Sequence, residues 1–331
     1  MRGRPATGAP RFRLAFMTAM TVVATGSVAY DFLFTFKGRF GDQIVPDKTH
    51  MINLSFLVDS MAKRRGGVAA NYAYTLALLG HPAAVLATAG ADGAEYREWL
   101  ESMGIDCRGL RLLEDEYTAT GYTTTDADHN NIWGYYGGAM SRAAILGLAD
   151  TVPDPEAVIV GPNAPDAMFR LVRECRDAGV RWVFDASHQL PHMTAEDLEE
   201  GSRGAWIVIG NDYEMELIRQ RTGRDHRGLL ELAQMVVTTM GREGSRISTP
   251  DGDTVIPPAR AVAEVDPVGA GDAYRAGLVH GLLHGMGVER AGRIASLAAT
   301  YVVEQTGTIE QRYTRDEFAE RYRAAYGESP W

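Results

Sequence analysis

The stretch VDPVGAGDAYRAG, residues 265–277, places two glycines and a carboxylate, Asp272, where an apolar helix is predicted to begin. A helix N-terminus has unpaired backbone N–H groups and a partial positive charge, so it favours a bound anion. Gly269 and Gly271 carry no Cβ and allow the backbone to approach that anion closely. The pattern indicates an anion site in which Asp272 can take a proton from an attacking hydroxyl group.

The same stretch also has a purely structural interpretation. An aspartate at the start of a helix can act as its N-cap and stabilise it by about 0.5–2 kcal/mol without any chemistry. On these residues alone, the catalytic and capping interpretations of Asp272 are equally supported. The rest of the chain has to decide between them.

Composition narrows the class of protein. The chain has 331 residues, of which 45% are hydrophobic and 23% charged, as is typical of a globular protein with a sizeable core. A formal net charge of -10 provides no attraction to nucleic acid or to an anionic membrane, so we expect small-molecule partners only. Cys107 and Cys175 cannot form a disulfide framework, and we expect buried or half-buried thiols in a reducing cytoplasm.

The N-terminal residues allow two interpretations. We expect residues 1–19 to be a disordered extension of the chain, although residues 11–24 imitate the basic and apolar regions of a signal peptide. We favour the view that residues 21–25, TVVAT, form the first buried strand, because cleavage would remove residues that the site requires. Met17 and Met20 are then candidate translation starts.

Hydrophobic periodicity alternates between strand and helix along most of the chain. After about residue 157, the strands AVIVG, RWVFDAS, AWIVIG and VVTTMG are separated by helical stretches such as 166–178 and 213–221. A strand at 84–88 and a helix near 94–103 repeat the pattern. This alternation predicts an α/β fold of three layers, in which a mostly parallel central sheet lies between helices.

Two β-rich segments, about 32–64 and 115–140, do not fit that sheet. The first alternates apolar residues at 32–36 and again at 52–56, and the second is rich in Thr, Tyr and Trp around an Asp/Asn turn. We predict that they form a small, discontinuous lid on a single domain that spans residues 20–331. We expect most of the lid aromatics to lie in the core: Phe32, Phe34, Tyr122, Trp133 and Tyr136.

Some common site patterns are missing from the sequence. None of the three lysines follows a glycine-rich loop in a G-x-x-x-x-G-K-[ST] pattern, which excludes a P-loop kinase. No clean G-x-G-x-x-G follows a strand, which argues against a nicotinamide-dependent dehydrogenase. The eight histidines show no metal-ligand spacing. A phosphotransferase built on this chain would therefore need a helix end, a metal ion and arginine to neutralise phosphate charge.

Several separated segments resemble one family. DPVGAGDAYRAG resembles the second signature of the ribokinase-like (PfkB) carbohydrate and nucleoside kinases, and GSVAYD and RRGGVAANYAYTLALLG resemble their N-terminal half. FKGRFGDQIVPDK, TTDADHNNIWGYYGGAM, DASHQL and ATYVVEQTGT are similar to the adenosine-kinase-like branch. The resemblance extends from about residue 20 to 325. It implies a ribokinase-like fold and an ATP-dependent kinase that phosphorylates the 5'-hydroxyl of a nucleoside. Adenosine, which would be converted to AMP, is the first candidate for this nucleoside.

The resemblance also implies roles at the centre of the signature. Asp272 matches the catalytic base of the family. The backbone amides that match its anion hole are those of Gly269, Ala270 and Gly271. Arg275 lies one turn further into the helix, where it could equally contact phosphate or pair with an acid.

On the acceptor side, Asp31 matches the carboxylate that accepts two sugar hydroxyls. Gly66, Gly67 and Asn71 match the G-G-x-x-x-N element that closes around the same sugar. The chemistry is reasonable in its own right, because a carboxylate can accept two O–H bonds from a diol and an amide offers both a donor and an acceptor. The alternatives are that Asp31 caps a turn and that Asn71 is a capping or solvated amide.

On the nucleotide side, Asn211 and Glu214 match the N-x-x-E motif that organises Mg²⁺ and its waters near the phosphates of ATP. Mg²⁺ usually retains several waters, so a carboxylate that acts through water is suitable. The alternative is that Glu214 is an ordinary first-turn carboxylate. Thr239, Gly241 and Gly244 match the loop that contacts the phosphates and ribose of ATP.

Asp266 matches the start of the D-x-x-G-A-G-D signature and, through it, a loop that binds a monovalent cation, so K⁺ is a further candidate cofactor. Pro267 replaces the usual Thr of that loop, and Ala29 replaces an Asn that related sugar kinases often carry. A sugar kinase of ribokinase or fructokinase type remains an alternative, as does a non-catalytic nucleoside- or sugar-binding regulatory protein. The sequence is compatible with either a monomer or a homodimer.

Overall fold

The computed structural model describes residues 21–44 and 55–331. The predicted extension at 1–19 and the candidate starts Met17 and Met20 lie outside these residues, as do positions 52–54 of the second predicted alternation. The described end of that alternation, around Phe56, is irregular rather than a strand. The ring of Phe56 stacks on that of Phe36, with 4.6 Å between the ring centroids, so side-chain packing holds this segment without strand pairing.

Strands and helices alternate through the described residues. The strands are β1 (Val22–Thr25), β2 (Ala29–Thr35), β3 (Ser60–Gly66), β4 (Ala83–Gly90), β5 (Asp106–Leu113), β6 (Ala119–Thr125), β7 (Asn131–Tyr136), β8 (Ala157–Val160), β9 (Arg181–Phe184), β10 (Ile207–Asn211), β11 (Met235–Thr239), β12 (Ser245–Thr249) and β13 (Gly252–Ile256). The helices are α1 (Phe40–Gln43), α2 (Val68–Leu78), α3 (Ala94–Ser102), α4 (Pro165–Ala178), α5 (Ala195–Ser202), α6 (Asp212–Thr222), α7 (His226–Leu230), α8 (Ala270–Leu283), α9 (Gly287–Val303) and α10 (Arg315–Tyr326).

The central sheet contains nine strands of the described chain, in the order β13-β12-β11-β10-β9-β8-β1-β4-β5. Neighbours from β11 to β5 are parallel, and β12 and β13 add an antiparallel edge. Every residue of β1, β4 and β8 is buried, as expected for strands that helices cover on both faces. The predicted α/β fold with a mostly parallel sheet is confirmed.

The strand order reverses at β1, which has β4 on one side and β8 on the other. Parallel strands place their carboxyl ends at one edge, and open α/β sheets bind ligands at that edge near such a reversal. Asp185 directly follows β9, while Asn211 and Thr239 are the last residues of β10 and β11. Polar residues therefore gather where the topology predicts a ligand.

A second sheet of four strands, in the order β3-β2-β6-β7, is formed by the two β-rich segments. The prediction that its aromatics lie mainly in the core is wrong: Tyr122, Trp133 and Tyr136 are 47%, 57% and 46% exposed. Phe32 and Phe34 are only partly buried, and Phe32 stacks on Tyr122 at 5.4 Å. Trp133 and Tyr136 lie on the edge strand β7, all six of whose residues are exposed.

No metal-ligand spacing was assigned to the histidines from the sequence, but the fold brings three of them together. His81, His280 and His284 converge at the C-terminal end of α8, with one ring nitrogen from each within 4.8 Å of the others. Positions 280 and 284 lie one helical turn apart, and this i, i+4 spacing was visible in the sequence. His81 is 199 residues away from His280, so only the fold brings it there.

Two further findings concern the cysteines and membrane-spanning helices. Cys107 and Cys175 are buried free thiols, as expected, and burial raises the pKa of each to about 12. Thiols with such pKa values are poor nucleophiles. Among the described residues, no helix is both long and apolar enough to cross a bilayer.

Candidate active site

Asp272 is the third residue of α8, and it does not cap the helix. The N-cap is Gly269, which adopts a left-handed conformation with φ of 84° and makes no side-chain capping bond. The carboxylate of Asp272 is partly buried, and its Oδ2 accepts a hydrogen bond of 2.7 Å from Nδ2 of Asn71. The capping interpretation of Asp272 is therefore wrong, because the side chain points to another helix.

Asn71 joins Asp272 to a third segment. It lies on α2, is 3% exposed, and accepts through Oδ1 a hydrogen bond of 2.9 Å from Oγ1 of Thr308. Thr308 also packs against Gly269, where an added Cβ would lie 2.8 Å from the threonine Cβ. The start of α8, the first turns of α2 and the segment around Thr308 thus form one hydrogen-bonded unit around Asp272.

Asp31 lies on β2 between two glycines of the neighbouring strands. A Cβ on Gly66 would come within 2.5 Å of Asp31 Oδ2, and a Cβ on Gly121 would come within 2.6 Å of Oδ1. A side chain at either position would therefore displace the carboxylate. The Cβ position at Gly66 is also 3.5 Å from Thr308 Oγ1, which connects the surroundings of Asp31 with those of Asp272.

Gly67 is required by the backbone rather than by the carboxylate. It is the N-cap of α2 with φ of 96°, and an added Cβ would lie 2.6 Å from the carbonyl oxygen of Ser27. This close approach lets β3 turn directly into α2. The turn places Asn71 one helical turn beyond the strand that borders Asp31.

Burial changes the protonation of both carboxylates. Desolvation raises the pKa of Asp272 to about 7, although Arg275 and the hydrogen bond from Asn71 act in the opposite direction. Desolvation also raises the pKa of Asp31 to about 6. A base with a pKa near neutrality is well matched to general base catalysis under cellular conditions.

A cavity of about 1070 Å³ opens on the other side of Asp272. The sequence-predicted residues that line it are Gly269, Ala270, Gly271, Asp272, Asn211, Glu214, Thr239, Gly241, Gly244 and Asp266. In the turn before α8, the amide of Ala270 donates to the carbonyl oxygen of Pro267 at 3.2 Å. Among described residues, no such backbone bond engages the amides of Gly269 or Gly271, so these two remain available to an anion.

Asn211 and Glu214 form a capping box at the start of α6. Asn211 Oδ1 accepts from the Glu214 amide and Glu214 Oε2 accepts from the Asn211 amide, each at 2.8 Å. Glu214 therefore does act as a first-turn carboxylate that caps the helix, as the alternative interpretation predicts. Its Oε2 also lies 3.6 Å from the Arg275 guanidinium, and burial raises its pKa while Arg275 lowers it.

The loop after β11 brings glycine backbone to the wall of the cavity. Gly244 has φ of 88°, and a Cβ there would lie 2.1 Å from the carbonyl oxygen of Ile256, so only glycine fits. The Met240 amide closes the loop by donating to the Gly244 carbonyl at 2.8 Å. Thr239 and Gly241 are held at the rim by this turn.

Arg275 pairs with an acid inside the protein. It is 4% exposed, and its guanidinium binds Asp185, with Nη2 to Oδ1 at 2.9 Å. Asp185 is fully buried and also accepts hydrogen bonds from Tyr72 Oη at 2.5 Å and Ser187 Oγ at 2.6 Å. This network connects β9, α2 and α8 directly beneath the cavity.

Asp266 holds the signature loop to the segment that follows α9. Its Oδ1 accepts from the Val268 amide at 3.0 Å, and its Oδ2 accepts from the Gly307 amide at 3.2 Å. Both oxygens thus serve the backbone. The link with K⁺ stays a prediction.

Comparison with known proteins identifies the family of this chain. The family model described as pfkB family carbohydrate kinase matches residues 38–315. The chain belongs to this family. The predicted family, the ribokinase-like fold and the class of enzyme, an ATP-dependent kinase, are confirmed.

Individual relatives of this pfkB-family kinase cover nearly its whole length. A nucleoside kinase of Methanothermobacter thermautotrophicus is 33% identical over 313 residues, which is 93% of this chain and 97% of the relative. The structure of a Burkholderia thailandensis nucleoside kinase in complex with inosine has a TM-score of 0.84 and 34% identity, covering 93% of this chain and 98% of the other. The same enzyme in complex with ADP-inosine has a TM-score of 0.82 and 37% identity, covering 94% and 97%.

Sequence reasoning did not assign several residues of this kinase that the fold brings to the site. Asp185, Tyr72, Gly121 and Thr308 received no role, and Arg275 was left undecided. Asp185 could have been found, because it follows a buried strand just as the predicted polar residues at other strand ends do. Gly121 also gave a signal, since glycine inside a strand often marks a close approach.

Proposed function

We propose that this kinase transfers the γ-phosphoryl group of ATP to the 5'-hydroxyl of a purine nucleoside, with adenosine as the preferred acceptor and AMP and ADP as products. The observation that carries the proposal is the position of Asp272. It lies at the start of α8, on the wall of the cavity, and is hydrogen-bonded to the Asn71–Thr308 unit that leads to Asp31. The similarity to nucleoside kinases along nearly the whole chain supports the same acceptor class.

Proton transfer in this scheme is local. The ionised Asp272 accepts the proton of the acceptor hydroxyl as its oxygen bonds to the γ-phosphorus, and the bond from phosphorus to the bridging oxygen of ADP breaks. The hydrogen bond from Asn71 holds the carboxylate in place during this step. The free amides of Gly269 and Gly271, together with the partial charge of α8, stabilise the negative charge on the transferring group.

The acceptor is held by the second sheet. Asp31 accepts hydrogen bonds from the two ribose hydroxyls, and Gly66 and Gly121 leave the space that its carboxylate needs. Trp133 lies beside Gly121, with its ring 2.9 Å from the position that a Cβ would take. An exposed indole at this place can stack on a purine base, a contact that a free sugar does not offer.

Mg²⁺ fits the nucleotide side through Glu214. One oxygen of this carboxylate caps α6, while no hydrogen bond to Oε1 is seen within the described residues. Glu214 would hold Mg²⁺ through water, and the ion would reduce the negative charge of the phosphates. K⁺ remains a candidate for the loop that Asp266 organises.

The second sheet acts in this proposal as the lid that the two β-rich segments predict. It carries Asp31 but leaves much of its aromatic surface uncovered. Closure on a nucleoside would bury that surface and exclude water, which prevents transfer of phosphate to water. The proposal includes this lid and a cytoplasmic location for the enzyme. It also includes a monomer or a homodimer as the oligomeric state.

A coupled assay of ADP release tests the acceptor. Adenosine, inosine, cytidine, ribose and fructose are compared at equal concentrations with ATP and Mg²⁺, and we expect purine nucleosides to have the highest kcat/KM, adenosine first. Preference for ribose or fructose would instead establish the sugar kinase. No ADP release with any acceptor, despite measurable nucleoside binding, would establish the non-catalytic binding protein.

A further inference from the structure

At the end of α8 opposite to Asp272, three histidines gather without any role in the proposed reaction. His81 follows α2, His280 lies in the last turn of α8, and His284 is its C-cap. The first two are 2% and 1% exposed, and the third is exposed. The burial of His280 has to be explained, because its imidazole ring needs partners for two nitrogens.

We propose that His81, His280 and His284 bind a transition-metal ion of the Zn²⁺ class and thereby connect α2 to α8. Three imidazole nitrogens and one open position form a common ligand set for such ions.

The spacing of the nitrogens agrees with a tetrahedral ion. Nitrogen ligands lie about 2.0–2.1 Å from Zn²⁺, so two of them in a tetrahedral shell are about 3.3–3.4 Å apart. Nδ1 of His81 and Nδ1 of His280 are separated by 3.3 Å. Nε2 of His280 is buried and has no hydrogen-bond partner within the described residues. With Nδ1 as the ligand, Nε2 would carry the proton of the ring.

The third ligand is oriented by the helix itself. Nδ1 of His284 is 2.8 Å from the carbonyl oxygen of His280, to which it donates when protonated. A backbone carbonyl that takes the proton from one imidazole nitrogen leaves the other as a metal ligand, a common arrangement at histidine sites. Because His284 is exposed, its ring can turn towards the other two when an ion binds.

The surroundings favour a nitrogen-binding ion over Mg²⁺ or Ca²⁺. The cluster contains no carboxylate, whereas both of these cations prefer oxygen ligands. The positive charge of Arg315, whose guanidinium lies over the Trp331 ring at 4.7 Å, disfavours positive charge at His280. Simple charge attraction therefore does not hold a cation here. Direct bonds to imidazole would have to supply the affinity.

The position gives the site a structural consequence. His280 is eight residues from Asp272 on the same helix, which corresponds to about 12 Å. His81 follows the helix that carries Asn71, the partner of Asp272. A bound ion would fix the far ends of the two helices whose near ends hold the catalytic carboxylate.

The test measures Co²⁺ and Zn²⁺ binding to the untagged full chain by visible absorption and calorimetry. Excess Mg²⁺ occupies the oxygen-ligand sites around Glu214. The variant is His284→Asn, which removes the exposed ligand without opening the core. The matched control is His129→Asn, also exposed, where φ of 62° suits asparagine.

We expect one ion per chain with a tetrahedral Co²⁺ spectrum for the unchanged protein and for His129→Asn, and at least about 10-fold weaker binding for His284→Asn. Zn²⁺ should raise the Tm of the first two by about 5 °C and that of His284→Asn by much less. Equal affinity and equal Tm shifts in all three proteins would overturn the proposal. So would the absence of binding in all three.

Discussion

The two sheets of this protein differ in how completely they are covered. In the central sheet, β1, β4 and β8 are buried along their whole length. In the second sheet, β7 is exposed along its whole length. The first is therefore a rigid support, whereas the second keeps a surface that a ligand can cover.

The site divides along the same line. Asp272 and the Arg275–Asp185 pair belong to the helices and strands of the central sheet, while Asp31 and Gly121 belong to the second. If this division is functional, changes on the central side should affect turnover and stability. Changes on the second sheet should affect the affinity for the acceptor.

The largest effect is expected for Asp272→Asn. The amide keeps the size of the carboxylate and can accept the hydrogen bond from Asn71, but it cannot take a proton from the acceptor. We expect kcat to fall about 10³-fold while the Kd for adenosine changes little. Steady-state rates and calorimetric titration of nucleoside measure the two quantities separately.

The matched control is Asp166→Asn, an exposed acid in the first turn of α4. It removes a carboxylate from a helix start without touching the site, and its kcat should stay within about twofold. A similar kcat for Asp272→Asn would show that Asp272 is not the base, and the division between the two sheets would lose its main support.

The next effect concerns stability and the buried pair below the cavity. Asp185→Asn leaves the buried Arg275 with Glu214 at 3.6 Å as its remaining acidic partner within the described residues. Removal of one member of a buried ion pair typically costs about 3–5 kcal/mol, and we expect a loss of this order in the free energy of unfolding. Urea denaturation followed by circular dichroism gives the value.

Asp253→Asn is the control for this measurement. Asp253 pairs with Arg227 at 3.6 Å on the surface, where both side chains are well exposed. Such pairs contribute about 0–1 kcal/mol, so this variant should unfold almost like the unchanged protein. Equal losses for the two variants would mean that the buried network does not stabilise the central side more than a surface pair does.

A smaller and more selective effect is expected in the second sheet. In Gly121→Ala, the new Cβ would lie 2.6 Å from Asp31 Oδ1 and 2.9 Å from the Trp133 ring, so the carboxylate has to move. We expect the KM for the nucleoside to rise about 10–100-fold with the KM for ATP unchanged, since in the proposed complex the acceptor, and not ATP, contacts Asp31.

Gly134→Ala provides a close control, because Gly134 pairs with Tyr122 on the adjacent strand and nothing lies within 4 Å of the added Cβ. Its KM values should remain near those of the unchanged protein. If both alanine variants lose acceptor affinity equally, the cause is general damage to the sheet and not the displacement of Asp31.

The part of the site that belongs to the central sheet was also easier to predict from sequence than the part that belongs to the second sheet. Buried parallel strands produce runs such as AVIVG and AWIVIG, and strand ends mark the functional edge in the chain itself. Asn211 and Thr239 lie at such ends, and the glycines around Asp272 signal a close backbone approach. Local sequence therefore contains most of the information about this half of the site.

The second sheet and the long-range pairs were harder to predict. Aromatic residues in a strand suggest a core, and nothing local indicates that β7 has no covering layer among the described residues. Asn71 and Thr308 are 237 residues apart, and Asp185 and Arg275 are 90 apart. Such contacts arise from the topology, which spacing along the chain does not give.

The smallest effects concern pH, and they compare the two carboxylates directly. Asp272, with a pKa raised by burial to about 7, has to be ionised to act as base, and Asp31, with a pKa raised to about 6, has to be ionised to hold the diol. Below pH 7, kcat/KM should fall about tenfold per pH unit, and below pH 6 the slope should approach two. Asp31→Asn should keep the first slope and lose the second.

The same raised pKa predicts a stability effect that does not depend on catalysis. Because folded Asp272 binds a proton more tightly than the unfolded side chain, whose pKa is near 3.8, its contribution is full below about pH 3.8 and is lost as pH rises through 7. Asp272→Asn cannot titrate and does not undergo this loss. The free energy of unfolding of the variant, relative to that of the unchanged protein, should therefore increase by about 1–3 kcal/mol from pH 5 to pH 8, allowing for partial exposure. Urea denaturation at both pH values measures the difference. A constant difference would mean that burial does not raise this pKa, and the acid limb of the rate profile would then belong to another group.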